Sequence, residues 1–162
     1  MAEGDAERDE TPAEKMDRNW DELLQELRVT QTGVQILTGF LLTLPFQQRF
    51  SGLDDRERLL FLASILLGTA ATAMLVAPVS GHRILFRKHE KDVLVSMGNV
   101  FAKVGLALLA LAVTTVLTMI FDVVVGRTAG LVVAVVLVAF FVLAWLVVPL
   151  LALRAAKRRV RG

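Results

Sequence analysis

Four long apolar stretches alternate with shorter polar segments along the chain. They cover approximately residues 29–46, 59–79, 101–121 and 129–153. A helix that rises 1.5 Å per residue needs about 20 apolar residues to cross about 30 Å of hydrocarbon. Each stretch comes close to that length, so the pattern predicts a four-span transmembrane domain over residues 29–154.

The four stretches differ in how apolar they are. Residues 129–153 carry no charged side chain, whereas the first stretch contains several polar ones. These are Thr30, Gln31, Thr32, Gln35, Thr38 and Thr43. The assignment of the first span therefore depends on the distribution of charge as well as on hydropathy.

The segment before the first span has the periodicity of an amphipathic helix. Asn19 and Glu22 fit the N-cap and N3 positions. Apolar residues then recur at i, i+3, i+4 and i+7, namely Trp20, Leu23, Leu24 and Leu27. We therefore predict an interfacial helix over residues 17–28.

Residues 1–16 are acidic and without periodicity, which predicts a disordered tail. Residues 155–162 form a basic cytoplasmic tail. The predicted fold class is all-α, a transmembrane four-helix bundle with a short amphipathic N-terminal helix.

Composition supports a membrane protein. The chain is 55% hydrophobic and has a mean hydropathy of +0.60. Ten of its sixteen acidic residues lie in the first 28 positions, so charge is excluded from long blocks. A bilayer selects this pattern, because a charge at the hydrocarbon centre costs about 2.5 to 3.5 kcal/mol. The absence of cysteine excludes disulfides and thiolate metal sites.

The lysines and arginines indicate an orientation. If both termini are cytoplasmic, the cytoplasmic segments hold 13 of these cations, the other side holds 4, and Lys103 lies within the third span. The positive-inside rule favours this arrangement. We therefore predict a multi-pass protein of the cytoplasmic (plasma) membrane with both termini inside.

A polar face follows one side of the first span. Arg28, Gln31, Thr32 and Gln35 fall on one side of a helical projection, and apolar residues fall on the other. Polar side chains in a spanning helix normally face protein or a water-filled cavity, so this face is predicted to point into the bundle. It is either structural, with glutamines bonding to neighbouring helices, or the lining of a site for a small polar solute or ion.

Two ionisable residues lie near the two ends of the third stretch. Lys103 and Asp122 are 19 residues apart, which is about 28 Å along a helix. They are predicted to occupy opposite membrane interfaces, with Lys103 snorkelling and Asp122 near Arg127. No carboxylate is expected at mid-depth, which weakens a proton-relay mechanism.

Other basic residues are predicted to contact lipid head groups. They are Arg83, Arg87, Lys88, Lys91, Lys157, Arg158, Arg159 and Arg161. His82 and His89 stand in this cationic setting, so no metal site is expected. The sequence lacks GxSxG, P-loop and HExxH motifs. We therefore expect neither an enzyme nor a cofactor, and no nucleic-acid partner, since the basic residues are explained by membrane orientation.

Three segments carry a family resemblance. They are RNWDELLQELRVTQTGVQILTGFLLTLPFQQRF, LDDRERLLF and APVSGHRILFRKHEKD. The sequence from Arg18 to Leu153 resembles an uncharacterised actinobacterial family of small four-span integral membrane proteins. Some members carry an automatic sodium:proton antiporter label. The resemblance supports the topology and transfers no catalytic residue.

The function expected from these features is partner binding or membrane organisation, by a homo-oligomer or together with another membrane protein. The alternative is a small oligomeric ion or proton/cation transporter that uses the polar face of the first span.

Overall fold

The computed structural model describes the backbone of residues 11–85 and 91–161, and the side chains of residues 11, 14, 18–80 and 96–157. Within these ranges the chain is helical and contains no strand, which confirms the all-α prediction. The helices are α1 (Pro12–Thr43), α2 (Asp55–Leu85), α3 (Lys91–Val124), α4 (Arg127–Val142) and α5 (Val148–Arg161). Two 3₁₀ turns, Leu44–Phe46 and Gln48–Gly52, connect α1 to α2, and a π-helical turn, Leu143–Val147, joins α4 to α5.

Helix α1 begins earlier than predicted. Thr11 accepts a hydrogen bond from the Glu14 backbone N–H, and the Glu14 carboxylate accepts one from the Thr11 backbone N–H at 2.9 Å. With Pro12 at the first helical position, this is a complete capping box. The bonds from the Thr11 backbone and hydroxyl lower the pKa of Glu14. The predicted disorder is therefore wrong for residues 12–16, and residues 1–10 lie outside the described part of the chain.

The predicted interfacial helix is not a separate element. Residues 17–28 form the middle of α1, which continues without interruption into the first apolar stretch. Trp20 is buried and packs against Gly98 of α3, where an added Cβ would lie 3.0 Å from the indole ring. The apolar face of this segment therefore contacts the bundle.

A capping box also opens α2. The Glu57 backbone N–H donates to Asp54 Oδ1 at 2.8 Å, and the Asp54 N–H donates to Glu57 Oε2 at 2.9 Å. The connection is held further by Arg58, whose guanidinium donates to the carbonyl of Ser51 at 3.2 Å. Helix α2 therefore begins at a defined position next to the turns that follow α1.

The core lies where α1, α2 and α3 meet. Buried residues recur every seven positions along α1, at Trp20, Leu27, Val34 and Leu41. Helix α1 runs antiparallel to α2, because Gln31 bonds to Leu75 while Thr38 lies beside Gly68. Helices α2 and α3 share the most extensive contact. The small-residue row of α2, which includes Ser64 and Gly68, therefore serves packing within this chain.

The π-helical turn has a local cause. Pro149 has no backbone N–H, and its ring crowds the carbonyl four residues earlier in a regular α-helix. The backbone widens just before it, where the Val148 N–H donates to the Leu143 carbonyl five residues back. Such turns are frequent at functional sites.

Three helical segments of the described residues are long and apolar enough to cross a membrane. They are Asp55–Ser80, Ser96–Val124 and Arg127–Lys157. The chain therefore has the helices of a membrane protein. Helix α1 is not among the three, because its threonines and glutamines dilute its apolar character.

Candidate functional site

The most unusual polar feature is an ion pair between α2 and the end of α3. Arg56 Nη1 lies 3.0 Å from Asp122 Oδ2. The Asp122 side chain is 5% exposed and the Arg56 side chain 28% exposed. Removing such charges from water costs several kcal/mol per ion, which their attraction must offset. An ionisable residue in a spanning segment is a functional-site hypothesis by default.

The second carboxylate oxygen of Asp122 is held differently. Oδ1 is buried and accepts no hydrogen bond from the described residues. It points at Gly130, where an added Cβ would overlap this oxygen and lie 2.8 Å from Asp122 Cγ and 2.9 Å from the Thr118 carbonyl. Gly130 belongs to the first turn of α4, whose amide groups carry partial positive charge. The carboxylate is therefore enclosed by one cation and the start of a helix.

The tight turn before α4 makes this enclosure possible. Gly126 has φ of +119°, a conformation that favours glycine, and its N–H donates to the Phe121 carbonyl at 3.0 Å. The chain thereby reverses within a few residues of Asp122, and the first turn of α4 returns to the same carboxylate.

Sequence reasoning named Asp122 but assigned it the wrong surroundings. The predicted interfacial carboxylate near Arg127 is buried instead, and its partner is Arg56. Arg127 is the nearest cation along the chain but not the partner in the fold. The partner could have been identified from an antiparallel arrangement of α2 and α3, which puts the start of one helix beside the end of the other.

The predicted polar face of α1 separates into two parts. Gln31 is half-buried and its Nε2 donates to the Leu75 carbonyl of α2 at 2.8 Å. Arg28, Thr32 and Gln35 are exposed, so the prediction that they point into the bundle is wrong. The polar face lies beside the α1–α2 contact and not at its centre, because the buried residues of the seven-residue repeat occupy the centre. Thr32 bonds locally, donating to the Arg28 carbonyl at 3.0 Å.

Lys103 is exposed, and it lies at one end of an apolar groove between α3 and α4. The other predicted lipid contacts are described only for Lys157, which is exposed. The remaining ones lie outside the described side chains: Arg83, Arg87, Lys88, Lys91, Arg158, Arg159 and Arg161. Among the side chains that are described, no group of three carboxylates or histidines could hold a metal ion.

Comparison with known proteins identifies a family. Residues 9–149 match the profile described as "Family of unknown function (DUF6328)". The chain belongs to this family. No curated protein and no solved structure matches it significantly.

The family match confirms the resemblance to an uncharacterised family, and its description assigns no reaction. Two features of this chain's own geometry could carry a function. The Arg56–Asp122 pair can lock two helices together. The exposed polar residues of α1 can bond to another protein.

Proposed function

We propose that the chain is a multi-pass protein of the cytoplasmic membrane that assembles with a second copy of itself and organises partners there, rather than catalysing a reaction. It crosses the bilayer four times, with both termini in the cytoplasm. The observation that carries the proposal is the exposed polar residues on α1, a helix packed into the same bundle as three spanning segments.

Two features support a spanning role for α1. Its 32 residues correspond to about 48 Å, which exceeds the hydrocarbon thickness. It also lies antiparallel to α2, a membrane-spanning candidate, with Gln31 against Leu75 and Thr38 beside Gly68. With α1 crossing, the 13 inner and 4 outer cations agree with the positive-inside rule.

The exposed surface of α1 needs a protein partner in that position. Arg28, Thr32 and Gln35 would otherwise face lipid, where a polar side chain lacks partners. A second copy is complementary, because amide and hydroxyl groups can bond to their own counterparts across a twofold axis. Exposed Asp21, seven residues before Arg28, offers that arginine an opposite charge from the second copy.

The test uses the absence of native cysteine, so that one introduced thiol is unique. Gln35→Cys is expected to form a disulfide-linked dimer when membranes are treated with a mild oxidant, because a disulfide requires Cα atoms about 4.4–6.8 Å apart. Ile36→Cys is the matched control: Ile36 is also exposed, at the next position, but it faces the apolar side. Dimer bands on non-reducing gels provide the readout.

Ser51→Cys reports whether α1 crosses the membrane. Ser51 is exposed in the connection after α1, so an impermeant maleimide should label it from outside intact cells. Labelling only after the cells are opened would contradict the topology. Equal cross-linking of Gln35→Cys and Ile36→Cys, or none in either, would contradict assembly through the polar face.

A second candidate function is a small oligomeric ion or proton/cation transporter. The observation that favours it is the buried Asp122 carboxylate, one oxygen of which accepts no hydrogen bond from the described residues. In this alternative the α1 polar face lines a path between copies, and Asp122 takes up and releases the proton.

The transporter predicts flux through liposomes that carry the purified protein. A proton or sodium gradient should dissipate faster than in empty vesicles, and both Asp122→Asn and Gln35→Leu should reduce the rate at least tenfold. Asp55→Asn is the control, since Asp55 is an exposed carboxylate in the first turn of α2. Silent vesicles would favour the assembly function, and flux that survives both substitutions would reject this site.

A further inference from the structure

The groove beside Lys103 has the composition of a site for an amphiphile. It occupies about 870 Å³ between α3 and α4 and continues past the π-helical turn. On one side it is lined by Lys103, Ala107, Ala110 and Thr114, and on the other by Phe141 and Trp145. Alanines on α3 leave room between flanking leucines, and aliphatic and aromatic side chains line the opposite wall, so the channel is apolar with a cation at one end.

Polar chemistry is confined to that end. Lys103 is the one charged residue in the lining. Thr114, at the far end, already donates its hydroxyl to the Ala110 carbonyl at 2.8 Å, so it is committed within its own helix. A polar solute would find no partners along the groove. An amphiphile with an anionic head group and an apolar tail matches both the cationic end and the apolar length of the groove.

The length of the groove matches one leaflet. Lys103 and Thr114 are separated by about 16 Å along α3, and half of the hydrocarbon thickness is about 15 Å. The groove thus runs from the head-group level to the middle of the bilayer, the dimension of one phospholipid chain.

The π-helical turn contributes to the opening. Ala144, Trp145 and Leu146 of this turn line the groove, and residues 143–157 include no buried side chain. Phe141 and Trp145 contact each other, with ring centroids 4.9 Å apart, and form an aromatic wall along the groove. Tryptophan is enriched at the level of lipid head groups.

We propose that this groove binds one anionic phospholipid, with its phosphate at Lys103 and an acyl chain along α3 toward Thr114. If the proposed topology holds, the Lys103 end of the groove lies in the inner leaflet. The lipid site itself does not depend on that topology. The bound lipid covers the splayed ends of α3 and α4, where the helices make no buried contact.

The experiment is native mass spectrometry of the full chain in detergent with added phosphatidylglycerol or phosphatidylcholine. Phosphatidylglycerol should be retained preferentially. Lys103→Gln should weaken its retention about fivefold, equivalent to the roughly 1 kcal/mol of one basic contact near the surface. Ala107→Phe, which fills the groove, should abolish it. Ala139→Phe is the matched control, because Ala139 is exposed on α4 outside the groove lining.

Loss in Ala107→Phe with retention in Ala139→Phe supports the groove, and a selective loss of phosphatidylglycerol in Lys103→Gln supports the phosphate contact. Equal retention of both lipids, or equal loss in both phenylalanine variants, overturns the proposal. Competition by glycerol phosphate as effective as by the whole lipid would also overturn it, since the tail would then contribute nothing. The assay is independent of dimer cross-linking, so the two proposals can fail separately.

Discussion

Asp122→Ala is expected to destabilise the protein by about 3 kcal/mol, the low end of the cost of breaking a buried ion pair. The substitution leaves the Arg56 guanidinium next to apolar helices without its partner. Arg56 is 28% exposed, so water relieves part of the cost. Unfolding in a detergent titration followed by circular dichroism would measure the change.

The double variant Arg56→Met/Asp122→Leu provides the sharper comparison. Replacing both members of a buried pair with apolar residues of similar size is often neutral or stabilising. The double variant should therefore recover most of the stability that Asp122→Ala loses, and Arg56→Met and Asp122→Leu complete a double-mutant cycle. Asp55→Ala, an exposed carboxylate at the start of α2, should change stability by less than about 1 kcal/mol. Equal effects of Asp122→Ala and Asp55→Ala would contradict a structural ion pair.

Hydropathy predicted the last three apolar helices well because each of these blocks reaches the length that a membrane requires. Residues 59–79, 101–121 and 129–153 all fall within segments that the structure supports as membrane-spanning candidates. The start of α1 was missed although Thr11, Pro12 and Glu14 carry a complete capping signature. Acidic composition was given more weight than this local pattern, and the local hydrogen bonds determined the outcome.

The candidate site was harder to predict because it depends on contacts between distant parts of the chain. The helical projection placed Arg28, Gln31 and Gln35 on one side, but it could not show which flank contacts α2. The buried repeat of Leu27 and Val34 determines that, and it leaves Gln31 at the contact while the other two face outward. Similarly, the pairing of Asp122 with Arg56 requires the antiparallel order of α2 and α3.

Gly130→Ala is expected to destabilise the protein by about 1–3 kcal/mol, the usual cost of overpacking a well-packed site. The new methyl group would overlap the Asp122 carboxylate and approach the Thr118 carbonyl, and backbone cannot move as freely as the end of a flexible side chain. Gly33→Ala is the matched control, since an added Cβ there meets no atom within 4 Å. Because alanine favours helix, Gly33→Ala should be neutral or stabilising by up to about 1 kcal/mol.

The cause of the Gly130 effect can be separated from a general intolerance of α4. If the carboxylate is what requires glycine, Gly130→Ala should cost less in an Asp122→Ala background, where the overlapping oxygen is gone. The two substitutions would then be non-additive, as expected for groups in direct contact. Additive losses would instead indicate that the Thr118 carbonyl, and not Asp122, limits the approach of α4. Non-additivity would show that the ion pair and the close approach of α4 to α3 form one structural unit.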